Sequence, residues 1–98
     1  MKIEETVKIK REEIRRIAER HGAKNVRLFG SVARGEAKPE SDVDLLVDVD
    51  ATAQTSSWFP IGLILDLEKL LGRRVEIVTE RALNKDLREQ VLHEAVPL

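Results

Sequence analysis

The stretch from Asp42 to Val49 constrains the fold of this chain more than any other. Val43, Leu45, Val47 and Val49 alternate with Asp42, Asp44, Leu46 and Asp48. Side chains two apart in a strand share a face. The pattern therefore predicts a strand over Val43–Val49 with one apolar face turned to a core and one face carrying acids. A strand of this kind needs neighbouring strands and a covering layer. Val26–Phe29 and Val75–Thr79 are short apolar runs that read as two further strands. In the third, Val75 and Ile77 face one way, and Glu76 and Val78 the other.

The remaining segments read as helices and connections. Ile3, Val7, Ile14, Ile17 and Ala18 form one stripe over residues 3 to 21, and Glu4 with Lys8 and Glu12 with Arg16 are supporting pairs four apart. Gly22 is the expected stop. Gly30 and Ser31 end the first strand and open a short helix, which Pro39 and Ser41 break. Residues 50 to 58 are small and polar, hence a loop. Trp58, Phe59 and Pro60 lead into a helix ending near Leu71, with Leu63, Ile64, Leu67, Leu70 and Leu71 on its apolar side and Gly72 as stop. Leu65 falls either in the core or among exposed leucines that hint at a protein interface. A last helix is expected over roughly 80 to 95, where Leu83, Leu87, Val91 and Ala95 repeat every four residues. The order helix, strand, short helix, strand, helix, strand, helix predicts an α/β or α+β sandwich. Its small sheet is mixed, because the connection between the first two strands is short. With no linker or internal repeat, residues 1 to 98 read as a single domain.

Composition narrows the function. Lys and Arg number 17 against 18 Asp and Glu, a net charge of −1, which argues against a general nucleic-acid binder. There is no cysteine, so disulfides and thiolate metal sites are excluded. No apolar run approaches the roughly 20 residues that span a bilayer, and residues 1 to 5 lack a signal-peptide stretch. A soluble cytoplasmic protein is the expectation, with no membrane and no direct nucleic-acid partner.

The chemistry is concentrated in Gly30-Ser31, a ten-residue spacer, and Asp42-x-Asp44. Asp42 and Asp44 share a strand face with Cα atoms about 6.6 to 7 Å apart. Two carboxylates so placed can bracket divalent cations, and two-metal sites hold ions about 3.5 to 4 Å apart. Magnesium suits them, since it takes few carboxylates together with waters and phosphate oxygens. The plainer alternative is a solvated acidic strand end. Gly30 lets backbone approach a phosphate, and Ser31 offers a hydroxyl and a helix cap; an ordinary turn would use the same residues. Glu76 is a candidate metal ligand or general base if its strand lies beside the second, or else an exposed glutamate. Arg34 either touches phosphate or pairs with Glu36 or a partner. Asp48 and Asp50 read as solvated. His21 and His93 lack metal-ligand spacing and read as structural, His21 as a cation at a helix C-terminus. Trp58 and Phe59 read as a helix-start staple or, alternatively, a partner patch.

Phe29-Gly30-Ser31-Val32-Ala33-Arg34-Gly35-Glu36, running on through Ser41-Asp42-Val43-Asp44-Leu45-Leu46-Val47, resembles the signature of the polymerase-β-like nucleotidyltransferase superfamily, and in particular the minimal nucleotidyltransferases. Leu67 through Thr79 and the ending Glu94-Ala95-Val96-Pro97-Leu98 resemble them too, so the likeness covers nearly the whole chain. The resemblance implies a nucleotidyltransferase fold with a small mixed sheet flanked by helices. It implies Asp42 and Asp44 as paired Mg2+ ligands, with two ions, and Gly30 and Ser31 as phosphate-holding residues. It implies ATP as substrate and a HEPN-domain toxin as partner, with AMP transferred to a toxin tyrosine and the protein acting as antitoxin. The family's third acid is usually an aspartate; here Glu76 stands in its place, one methylene longer. These 98 residues leave no room for an acceptor-binding domain, so the acceptor surface is expected to be shared with a partner. The competing expectations are a binding module that neutralises its partner without catalysis, and transfer to a small molecule across a homodimer cleft.

Overall fold

The computed structural model describes residues 2–49 and 58–98. The chain runs α1 (Ile3–Ile9), α2 (Arg11–Arg20), β1 (Ala23–Phe29), α3 (Gly30–Ala33), β2 (Val43–Val49), α4 (Ile61–Leu71), β3 (Val75–Thr79), a 3-10 turn (Glu80–Ala82), α5 (Lys85–Glu94) and β4 (Val96–Pro97). The four strands form one sheet in the order β3-β2-β1-β4. β1 runs antiparallel to β2 and β4, and β2 runs parallel to β3, so the sheet is mixed as expected.

The apolar face of β2 behaves as its alternation requires at three of four positions, Val49 being only half-buried at the strand end. Val43, Leu45 and Val47 are fully buried, together with Val7, Ile14, Val32, Leu63 and Leu67 from the covering helices. Val26, Leu28, Val75 and Ile77 complete the core from the flanking strands. Leu46 departs from the expectation of an open acidic face: it is also fully buried. Its neighbours across the ladder are Arg27 and Val78, so the second face is covered at its middle and acidic only towards its ends.

Three boundaries differ from the sequence expectation. The first helix is two, divided at Lys10. One straight helix could not serve both contacts: α1 packs against α3, whereas α2 packs on β1 and α4. Lys10, in the apolar gap between Val7 and Ile14, sends its Nζ 3.1 Å to the carbonyl of Leu70. It thereby satisfies an orphan acceptor in the last turn of α4. β1 starts at Ala23 rather than Val26. The ladder passes from Lys24↔Asp48 to Arg27↔Leu46, one extra residue on β1, and Asn25 takes φ 53 there. This bulge resets the parity, so Ala23, Val26 and Leu28 all reach the core although they do not alternate. The last helix starts at Lys85, because Asn84 caps it by accepting the Leu87 N–H at 2.9 Å.

β4 goes beyond the expected elements. Val96 pairs with Leu28 and Pro97 with Arg27, and the Leu98 N–H donates to the Val26 carbonyl at 3.0 Å. A proline here lies on an edge strand, where it is tolerated. On α4, Ile61 and Leu65 are exposed, while Leu63, Leu67 and Leu71 are buried; Leu65 is therefore not core. Phe59 packs against the core and Trp58 is largely exposed. No helix among the described residues is long and apolar enough to cross a membrane.

Candidate active site

Sheet register assembles the acids. β2 and β3 run parallel with Asp44 beside Glu76, so the two carboxylates emerge at the same end of neighbouring strands. Asp42 precedes β2, where the Val43 N–H donates to the Arg74 carbonyl at 2.8 Å. On the other side β1 is antiparallel and pairs Phe29 with Asp44. The residues that follow Phe29 are Gly30 and Ser31, which therefore turn beside Asp44. The three sequence-distant parts of the motif meet because one strand pairs with both others.

Gly30 is fixed by that meeting. It takes φ +78, and a Cβ placed on it would lie 2.1 Å from Asp44 Oδ2. Only glycine permits both the backbone conformation and the carboxylate's position. Ser31 falls in the first turn of α3, not at its N-cap; Phe29 holds that place, and no side chain caps the helix.

The neighbouring acids perturb Asp44. Asp44 is raised from 3.8 to about 6, first by burial, then by the charge of Glu76, by hydrogen bonding to Glu76 and by the charge of Asp42; Arg34 opposes the rise. Neighbouring carboxylates repel unless a cation or proton intervenes. Asp42 Oδ1 is buried and lacks a hydrogen-bond partner. Arg74 Nε stands 3.3 Å away, within ion-pair range but without hydrogen-bond orientation. A carboxylate oxygen held by an ion pair but no hydrogen bond, beside a second, mutually repelled carboxylate, is a donor set that fits a hard divalent cation. Among the described residues no three His, Cys, Asp or Glu side chains are drawn together tightly enough to hold a metal by themselves. Part of any coordination shell must therefore come from water or from a bound phosphate.

Glu94 is the residue that sequence reasoning missed. The Gly30 N–H donates to its Oε2 at 3.0 Å, and Arg34 Nη1 donates to its Oε1 at 2.5 Å. Burial pushes the Glu94 carboxyl up, but the Arg34 and Gly30 hydrogen bonds and the Arg34 charge outweigh it and hold the group below its ordinary value. Arg34 also reaches Glu36, with Nε 3.4 Å from Oε2, so its expected pairing with Glu36 is present beside a stronger one. A carboxylate at the last position of a helix opposes the helix dipole, and that is the local signal that could have marked Glu94.

Asp48 is not simply solvated. It accepts from Arg27 Nη2 at 2.9 Å and from Asn25 Nδ2 at 2.9 Å. Arg27 is buried and also donates to Glu80. Burial raises the Asp48 carboxyl, yet the Asn25 hydrogen bond and the Arg27 charge and hydrogen bond bring it below its usual range. Asp50 lies outside the described residues, as does most of the expected loop over residues 50 to 58. His21 joins α2 to α4 through Asp66, with Nε2 2.7 Å from Oδ2, a structural part in keeping with its sequence reading.

A mixed sheet with paired acids beside a glycine turn, in helical cover, is the frame of a nucleotidyl-transferring domain. The chain belongs to the nucleotidyltransferase domain family, which matches residues 9–98, and it is a nucleotidyltransferase. It is 41% identical over 80 residues to the protein adenylyltransferase MntA of Thermococcus cleftensis, covering 82% of this chain and 79% of that one. A solved structure named as a minimal nucleotidyltransferase superposes with a TM-score of 0.86 at 51% identity, covering 100% of this chain and 97% of the other. A toxin–antitoxin crystal structure with AMP-PNP shares the fold at a TM-score of 0.72 and 22% identity, over 88% of this chain and 69% of that one.

Proposed function

We propose that this protein transfers AMP from Mg-ATP to a hydroxyl of a partner protein, a tyrosine of a HEPN-type toxin, and so acts in the cytoplasm as an antitoxin. The observation that carries the reading is the register: Asp44 beside Glu76 in parallel strands, with Gly30 packed against Asp44. The adenylyltransferase name of a 41% identical relative supports the reaction class. Asp42 and Asp44, with Glu76 beside them, would hold two magnesium ions. Bound there, the ions would supply neutralisation of the charge that builds on the phosphates and the leaving pyrophosphate.

The chain's own residues do the rest. The Gly30 N–H, Ser31 and Arg34 hold phosphate oxygens. Glu76 is exposed, which suits a group that must meet an incoming acceptor. It takes the proton from the acceptor hydroxyl as that oxygen bonds to the α-phosphorus; the bond from that phosphorus to pyrophosphate breaks, and pyrophosphate leaves with the electron pair.

The test is transfer of label from ATP carrying it on the α-phosphate to the product of the neighbouring gene. Label on the partner, lost with Asp42→Asn/Asp44→Asn protein, is the expected result. No label, with a stable complex still formed by the double variant, would replace the enzyme by a binding module that neutralises through occupancy.

A further inference from the structure

The Gly30 N–H and the Arg34 guanidinium, assigned above to the phosphates, already hold an anion: the carboxylate of Glu94. The chain delivers it there by design of the sheet. Val96 pairs with Leu28 in antiparallel register, so two residues back from Val96 and two residues on from Leu28, Glu94 comes opposite Gly30. The position is otherwise a poor one for a carboxylate, at the negative end of α5. Nothing in the helix favours Glu94 there; the two donors from the glycine turn do.

The geometry points to Glu94 as an internal stand-in for phosphate, a specificity-determining carboxylate that holds the Gly30 amide and Arg34 until a polyphosphate displaces it. The inference rests on the nucleotide reading above. The Gly30 amide has one hydrogen and cannot donate fully to two acceptors, and a carboxylate and a phosphate oxygen sharing these donors would repel. A ligand must therefore carry enough charge to exchange with Glu94. A triphosphate tail does, and a bare nucleoside does not. Glu94 also keeps Gly30 and Arg34 arranged between turnovers, so that no rearrangement of the turn precedes binding.

The experiment is calorimetric titration of Mg-AMP-PNP and of adenosine into the wild-type protein and Glu94→Gln. The amide keeps the shape and the Gly30 acceptor but removes the competing charge. A charge-assisted hydrogen bond differs from a neutral one by on the order of tenfold in equilibrium. Glu94→Gln is therefore expected to bind Mg-AMP-PNP about tenfold more tightly, with adenosine unchanged. Equal or weaker AMP-PNP binding in the variant would overturn the inference, as would an equal gain for adenosine. Absence of AMP-PNP binding by both proteins would instead overturn the nucleotide reading itself, and the inference with it. Should Glu94→Gln not fold, Glu94→Asp carries the same expectation, because its carboxylate falls one methylene short of the Gly30 amide.

Discussion

Gly30→Ala separates what the glycine does for the backbone from what it does for the site. Gly30 and Gly35 have nearly the same conformation, φ +78 and +73, but different surroundings. A Cβ on Gly35 meets nothing within 4 Å, whereas one on Gly30 meets Asp44 Oδ2 at 2.1 Å, Cγ at 3.0 Å and Cβ at 3.2 Å. Placing an L-residue in the left-handed region costs about 1–2 kcal/mol, offset by about 0.4–1 kcal/mol from the stiffer unfolded chain. Each alanine variant should thus lose about 1 kcal/mol, a fall of roughly 4–8 °C in Tm for a domain of this size. Turning the Asp44 carboxylate away relieves the contacts at Oδ2 and Cγ, and the remaining 3.2 Å contact with the Asp44 Cβ asks the backbone to give by a few tenths of an ångström, a small addition to that loss. That escape removes Asp44 from Glu76 and from the nucleotide. Thermal melts should therefore rank the two variants together, while Mg-AMP-PNP titration should find binding lost in Gly30→Ala and kept in Gly35→Ala. Equal nucleotide affinity in the two variants would refute the claim that Gly30 is glycine on account of Asp44.

Other outcomes follow from the same geometry. Leu46→Ala should cost about 2–4 kcal/mol in denaturant unfolding, since the side chain is fully buried despite its place on the acidic face; a loss under about 0.5 kcal/mol would return it to solvent. Asp48→Asn should lower Tm at pH 7 by weakening the hold on buried Arg27. The Asp48 carboxyl is depressed in the folded state, so its contribution is present above the unfolded value near 3.8 and lost as pH falls through the lower folded value. The two melting curves should then converge below about pH 3.8, and a gap that persists in acid would discard the ion pair as its source. Glu76→Gln should leave Tm close to wild type and reduce adenylyl transfer by on the order of 10²–10⁴, the usual range for a lost general base; undiminished transfer would remove Glu76 from the chemistry.

The parts of the fold that could be read in the sequence are those set by local period. β2 alternates except at Leu46, so its limits and three of its four expected core positions, Val43, Leu45 and Val47, were legible, while Val49 is only half-buried at the strand end. Glu76 was legible by parity, and its approach to Asp44 depended only on β3 lying next to β2. What could not be read depends on single-residue or long-range events. The extra residue at Asn25 shifts the parity of β1, and no alternation rule signals where a bulge falls. The division at Lys10 answers to α3, β1 and α4 together, and those elements are not defined by the segment itself. Leu46 has the spacing of an acid-face residue and the environment of a core residue, because Arg27 and Val78 flank it across the ladder. Glu94 belongs to the site only through the pairing of two-residue β4 with β1, too short a strand to leave a pattern.

The most direct test is a crystal structure with Mn2+ and AMP-PNP, using anomalous scattering to locate the metal. The account predicts manganese at the carboxylates of Asp42 and Asp44, phosphate oxygens on the Gly30 amide, and Glu94 displaced from it. Manganese absent from those carboxylates, or a nucleotide bound elsewhere with Glu94 still on Gly30, would contradict it.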